Sequence, residues 1–317
     1  SAASDVYKRQ VCGGVAASVL FVPGVIGANK AAKAVIPSLK VENVDFDVTS
    51  LPQKSTMYAR DGSTVIATFY NQNRIVVPLK KISKTMQQAV VAREDRRFWT
   101  HAGVDVQGVM RAFVQTYLVK GSQQGGSSLT QQYVKNVLLM QAIEDDDSIA
   151  QYHATEDTIA RKIREMLISV QMEKKYSKAE ILQGYLNIAQ FGNNLYGVET
   201  AAQRYFSVSA ADLNVVQSAT IAAITKNPSL YDPLVEENQK ESENQRNIVL
   251  KLMLQEGYIT QDQYTEAVNT PLKDTLKVQD VNVGCQDTGD YAYFCDFVVH
   301  RIQNSEEFGK TRAERNM

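Results

Sequence analysis

The chain has 317 residues, sets 34 Lys and Arg against 35 Asp and Glu, and is 44% hydrophobic. That length accommodates one large domain with appendages or two modest ones, and the balanced charge excludes a nucleic acid partner held by bulk basicity. The three histidines (His101, His153, His300) and three cysteines show no metal-ligand spacing, so no metal caged by the protein is expected.

Residues 1–10 carry no recognisable pattern and, beginning at Ser1 rather than Met, read as part of a fragment. Val11 to Ala28 (VCGGVAASVLFVPGVIGA) is uncharged and is followed by Lys30 and Lys33. At about 1.5 Å per residue a helix there would span roughly 27 Å, close to one hydrocarbon core, so a single membrane anchor is expected over 11–28. A cleaved signal peptide and a buried core helix are the competing readings; the residues near Ala32 make a poor cleavage site. Residues 29–55 read as a stalk.

MYARDGSTVIATFY (57–70) has β-branched and aromatic residues on both sides of Asp61-Gly62, which predicts a hairpin, and Arg74 to Pro78 offers a third short strand. Ile82, Met86, Ala89 and Val90 lie at helical spacing and deliver the chain to Glu94. Asp105 is placed to cap a second helix through Val106, Val109, Met110, Phe113, Val114 and Tyr117, closing near Gly121. Ser127 or Ser128 would cap the next helix. The acidic run from Gln141 to Thr158 is expected to be an exposed loop.

A long helix should follow, with Ile159, Ile163, Met166, Leu167 and Val170 on its apolar face and Arg161, Lys162 and Glu165 on the opposite one. Ser177-Lys178-Ala179-Glu180 is a capping box that opens the helix ILQGYLNIAQ. Tyr196–Phe206 and Asp212–Thr225 supply two more helices. Residues 236–256 form a charged amphipathic helix stopped by Gly257, and Thr260-x-x-Gln263 caps another. From Lys273 onward the periodicity fades. The fold class is therefore mainly α with a small N-terminal β-hairpin region.

Two acids on separate segments stand out: Glu94 in REDRRFWTHAG and Glu165 in ARKIREMLI. Glu94 has Asp95, Arg96 and Arg97 beside it, and Phe98, Trp99 and His101 nearby; aromatic neighbours can desolvate a carboxylate and make it a better base. Taken alone the cluster reads equally as a solvated helix end. Between the acids, GGSSLTQQYVKN (125–136) brings backbone N–H groups and small polar side chains to a helix start, where an anion is favoured, with Lys135 two turns on. Arg161 and Lys162 beside Glu165 make either a salt-bridged helix face or a pyrophosphate clamp.

In order and spacing, EDRRFWTHAGVDVQGVMRA, GGSSLTQQYVKN, RKIRE, YSKAEILQGYLNIAQFGNNLYGVETAAQRYF, ATIAAITKNPSLYDP and NQRNIVLKLMLQEGYIT resemble the motifs of the family 51 peptidoglycan glycosyltransferases. The likeness covers roughly residues 57–267. With the apolar segment before it and YAYFCDFVVHRI after it, the chain resembles the amino-terminal half of class A penicillin-binding proteins. Ser128-Leu129 and Tyr133 stand where that family more often has Thr-Ile and Leu, and the acidic stretch 144–157 is longer than usual. No Ser-x-x-Lys or Lys-Thr-Gly occurs, so the penicillin-sensitive half is not expected in this chain.

The resemblance implies a lysozyme-like fold in a glycosyltransferase domain over 56–270, anchored by one span and facing the outside of the cell membrane, with 271–317 beginning a linker. It implies polymerisation of lipid II into a β-1,4 glycan with release of a polyprenyl diphosphate. Glu94 would be the general base and Glu165 the second essential acid. Arg96, His101, Ser128, Gln131, Gln132, Lys135, Asn136, Arg161 and Lys162 would bind substrate. A divalent cation, Mg by preference, would be bridged by the substrate diphosphate. Partners would be lipid II, the growing glycan strand, membrane lipid and cell-wall assembly proteins. Cys285 and Cys295, outside the apolar segment and on the oxidising side of the membrane, are expected to pair, against the alternative of two free thiols in a small core. The competing functions are a lytic, lysozyme-type hydrolase and an inactive assembly scaffold.

Overall fold

The computed structural model describes residues 46, 51–70, 72–105, 108, 126–279, 283–286, 288–311 and 315. The expected anchor over 11–28 and most of the helix expected over 106–121 lie outside the described residues. Among the described residues no helix is long and apolar enough to cross a membrane.

The hairpin forms where the sequence predicts it. Strands β1 (Ser55–Tyr58) and β2 (Val65–Phe69) pair antiparallel with Thr56 opposite Thr68. The Asp61 carboxylate accepts the N–H groups of Ser63 and Thr64 at 2.9 and 2.8 Å, and Gly62 takes φ +69°, the left-handed conformation that glycine supplies without strain. The third strand is different. Only Asn73–Arg74 (β3) is paired, and it runs parallel to Leu195–Tyr196 (β4) rather than joining the hairpin. Beyond Arg74 the extended backbone is satisfied by side chains: Ile75 N–H by Thr200, Val76 by Gln53, Val77 by Asn187 and Leu79 by Gln183. That hydroxyl and those three amide oxygens take the place a neighbouring strand would fill.

Two helical groups follow. The first holds α1 (Lys84–Glu94) and the later α7 (Val215–Ile224), α8 (Gln239–Gln255) and α9 (Gln261–Asn269). The second holds α2 (Leu129–Glu144), α3 (Ser148–Thr155), α4 (Ile159–Lys175) and α5 (Lys178–Ile188). Helix α6 (Val198–Phe206) packs on both α5 and α7. Helix α7 lies at the centre of the first group: Ala219, Ile221, Ala222, Ala223 and Ile224 are all buried, and so are the small polar Ser218 and Thr220. The caps follow the sequence closely. Ser83, Ser128, Ser177, Asn214 and Thr260 each accept a backbone N–H from the first turn of their helix.

Two expectations are overturned. The acidic run 141–158 is not a loop: α2 continues to Glu144, and Asp147 starts α3 by accepting the N–H groups of Ile149 and Ala150. Three aspartates in a row suggest a coil, but here Asp145 ends one helix, Asp146 turns the chain at φ +53°, and Asp147 caps the next. Helix α4 is also rotated from its predicted setting. Ile159 is 74% exposed, Ile163, Met166, Leu167 and Val170 are only half-buried, and Arg161 and Glu165 face inward. The polar face has partners inside, and that outweighs the apolar periodicity.

The tail from 271 onward does more than lead away. Gly284 N–H donates to Thr68 O at 2.9 Å, and Ile66, Ala67 and Cys295 form a small second core with Met57, Ala59, Phe69 and Cys285 at its rim. Cys285 and Cys295 are disulfide-bonded. Closing so short a loop is worth roughly 2–3 kcal/mol in the chain-entropy model. In denatured, non-reduced protein neither cysteine should react with a thiol reagent, and both should react after reduction; peptide mass mapping checks this.

Candidate active site

Glu94 is the last residue of α1, so its side chain projects where the first helical group meets the second. Its Oε2 accepts a hydrogen bond from Gln132 Nε2 at 2.8 Å, and its Oε1 accepts one from Thr225 Oγ1 at 2.6 Å. Gln132 lies in the first turn of α2, and Thr225 is the C-terminal cap of α7. The carboxylate is thus held from both groups at once. Tyr185 of α5 adds a further brace, donating to Gln132 Oε1 at 3.3 Å. Burial, with Glu94 adding to it, pushes the Tyr185 hydroxyl well above its ordinary range, so it remains a donor.

Glu165 is 3% exposed and sits one helical turn from Arg161, whose guanidinium donates to its Oε1. Lys162 Nζ lies 4.0 Å from its other oxygen and 3.0 Å from Ser127 Oγ. Lys135 is close enough to this group to be affected by it. Burial first, then the positive charge of Arg161, lowers its ammonium below the usual lysine range.

An open cleft of about 1250 Å³ joins the two acids. Glu94, Glu165, Arg96, Ser128, Gln131, Gln132, Lys135, Asn136 and Lys162 all line it. Several of these are committed elsewhere. Ser128 Oγ donates to Gly103 O and accepts Gln131 N–H, while Gln131 Oε1 accepts Ser128 N–H, a closed capping box with both residues 1% exposed. The first backbone N–H of α2, from Leu129, donates to Asp95 Oδ2 at 2.9 Å. The helix start expected to receive an anion already holds a carboxylate of this chain. Arg96 lies 3.7 Å from Glu256, the C-terminal cap of α8.

Two expected binding residues are not among those lining the cleft. Arg161 lies behind Glu165, also donating to Glu156 O. His101 is buried under the site, bonded to Asp95. The sequence reading passed over Thr225 and Tyr185, which hold Glu94 in place, and the α8 residues Gln245, Ile248 and Leu252, which form a wall of the cleft. Thr225 had a signal: Thr-Lys-Asn-Pro ends a helix of small, buried residues, where a polar side chain needs a partner.

Gly103 ties the Glu94 segment to α4. Its φ is +83°, and a Cβ there would lie 2.8 Å from Ser169 C, Ser169 O and Val170 N. None of those backbone atoms can move aside without shifting the helix that carries Glu165. Backbone strain of about 1–3 kcal/mol and overpacking of similar size should add. Gly103→Ala is expected to lower stability by about 3 kcal/mol, read from urea unfolding with unchanged slope.

The family model described as Transglycosylase matches residues 62–254. Penicillin-binding protein 4 of Bacillus subtilis (strain 168) is 36% identical over 296 residues, which is 92% of this chain and 44% of that protein. Penicillin-binding protein 1A of Aquifex aeolicus (strain VF5) is 39% identical over 221 residues, 70% of this chain and 28% of that protein. A crystal structure of penicillin-binding protein 1A from Haemophilus influenzae aligns with a TM-score of 0.44 and 24% identity, covering 83% of this chain and 26% of that one. The chain spans less than half the length of these relatives.

Proposed function

Since the chain belongs to the transglycosylase family, we propose that it is a peptidoglycan glycosyltransferase that polymerises lipid II into β-1,4 glycan and releases a polyprenyl diphosphate. The observation that carries this reading is Glu94, held by Gln132 and Thr225 at the wall of a cleft that also contains Glu165, Lys135 and Lys162. A general base must be fixed within reach of the proton it takes, and two neutral donors fix it. Glu94 would accept the proton of the acceptor sugar's 4-hydroxyl. The freed oxygen would attack the donor's anomeric carbon from the face opposite the diphosphate, inverting that centre. Lys135 and Lys162 would stabilise the charge that grows on the departing diphosphate.

A divalent cation fits this site only as a companion of the diphosphate. Among the described residues no group of three or more His, Cys, Asp and Glu side chains is poised to hold a metal, and Glu165 is already paired with Arg161. The ion would add to charge neutralisation on the substrate oxygens. The domain would have a lysozyme-like fold and work at the outer face of the cell membrane, anchored by the apolar segment 11–28, with membrane lipid and cell-wall assembly proteins as neighbours.

Incubation with labelled lipid II, resolved on a gel, tests the reading. Glycan ladders support it. Cleavage of preformed glycan without polymerisation would replace it with the lytic reading, and inertness towards both would leave the scaffold.

A further inference from the structure

Beneath the cleft lies a buried chain of charged groups that the proposed chemistry does not use. Asp95, the residue after Glu94, is 6% exposed, and its Oδ2 accepts from His101 Nε2 at 2.7 Å and from Leu129 N–H at 2.9 Å. On the other side of the imidazole, Lys178 Nζ lies 3.4 Å from His101 Nδ1. That ammonium also donates to Glu173 Oε1 at 2.7 Å and sits 4.6 Å above the Phe98 ring. Thr130 donates to the same Glu173 oxygen, and Glu173 Oε1 is 4.0 Å from His101 Nδ1. The side chains of Asp95, His101 and Glu173 are 2%, 7% and 6% exposed.

The donor and acceptor inventory limits which bonds the imidazole can make here. An ammonium has hydrogens to give and no lone pair, so an Nδ1 bonded to Lys178 accepts. An ionised carboxylate has only lone pairs, so Nε2 facing Asp95 must donate. That arrangement puts the hydrogen of the Asp95 bond on Nε2 and turns Nδ1 to the ammonium. The position of Lys178 supports a dedicated role. It is the first residue of α5, at the positive end of the helix dipole, where a cation is disfavoured.

We propose that Lys178 is a positioning residue for Glu94, acting through His101 and Asp95. Lys178 holds His101 in the Nε2–H tautomer, and His101 orients the Asp95 carboxylate. Asp95 then seats the first N–H of α2, the helix whose first turn carries Gln132, and Gln132 grips Glu94. Every link is a hydrogen bond between named atoms except the step from Leu129 to Gln132, which runs through the first turn of α2, and the last ends on the proposed general base. This role rests on the reading of Glu94 as that base, so the test includes measurements that do not depend on turnover.

In the full chain, nitrogen-15 NMR of the His101 ring should show Nε2 protonated and Nδ1 bare near neutral pH. An imidazolium or an Nδ1–H tautomer would overturn the assignment whatever the enzyme does. Lys178→Met should remove that tautomer preference and reduce protection of the Leu129 amide from hydrogen exchange by tenfold or more. Lipid II polymerisation by the same variant should lose at least tenfold in kcat, with KM within about twofold. Lys178→Gln, which keeps an N–H donor towards Nδ1, should recover most of both. Unchanged Leu129 protection and kcat in Lys178→Met would sink the proposal. If that variant fails to fold, the parent tautomer and Lys178→Gln still decide it. A parent chain that shows the tautomer but does not polymerise lipid II would fail the functional reading and leave the tautomer assignment standing.

Discussion

Glu94→Gln should cut lipid II polymerisation by about 100-fold or more, the size of a general-base contribution, while leaving the fold and lipid II affinity near the parent values. The local hydrogen bonding explains why the fold survives. Gln132 Nε2 can donate to the new amide oxygen as it donated to the carboxylate. On the other side, Thr225 Oγ1 is 2.6 Å from Glu94 Oε1 and also 2.8 Å from Ala222 O. Its single hydrogen can turn to the Ala222 carbonyl, and the hydroxyl then accepts from the new amide. No buried group is left unpaired, so the usual penalty for a lost partner is avoided. Thermal unfolding, a binding titration and a polymerisation rate on one preparation check all three parts. A variant that is folded and polymerises at nearly the parent rate would remove Glu94 from the role of base.

Much of the site was legible because its residues lie in contiguous motifs with local signals. Ser83 and the stripe Ile82, Met86, Ala89 and Val90 bring α1 to Glu94, and Ser128 and Gln131 announce the start of α2 three residues apart. Capping is local chemistry, and the sequence carries it directly. What it did not carry is which way a polar helix face points. Arg161, Lys162 and Glu165 at helical spacing look like a solvated ladder, and the burial of Arg161 and Glu165 depends on residues far away in the chain. His101 carries part of the same difficulty: Asp95 is 6 positions away, but Lys178 is 77 positions away. Ser128 and Gln131 show the reverse limit. Their polarity suggests phosphate, yet their capping bonds consume it.

The burial of Arg161 leads to the second large effect. The family resemblance makes it a substrate ligand, where its spacing also allowed a salt-bridged helix face; the structure puts it at 6% exposure, donating to Glu165, which is 3% exposed. Removing one member of a buried ion pair leaves the other charge desolvated, at a cost of about 3–5 kcal/mol, whereas removing both often restores stability. Arg161→Met should therefore lower unfolding stability by about 3–5 kcal/mol, because Lys162 at 4.0 Å is a weak substitute partner for Glu165. The double variant Arg161→Met with Glu165→Met should regain most of that loss and remain inactive, since it lacks an acid the cleft presents to substrate. Urea unfolding of the single and double variants measures the coupling directly. A phosphate ligand would behave oppositely: Arg161→Met would keep its stability and bind lipid II more weakly. That outcome would return Arg161 to the substrate and show that its pairing with Glu165 does not describe the working site.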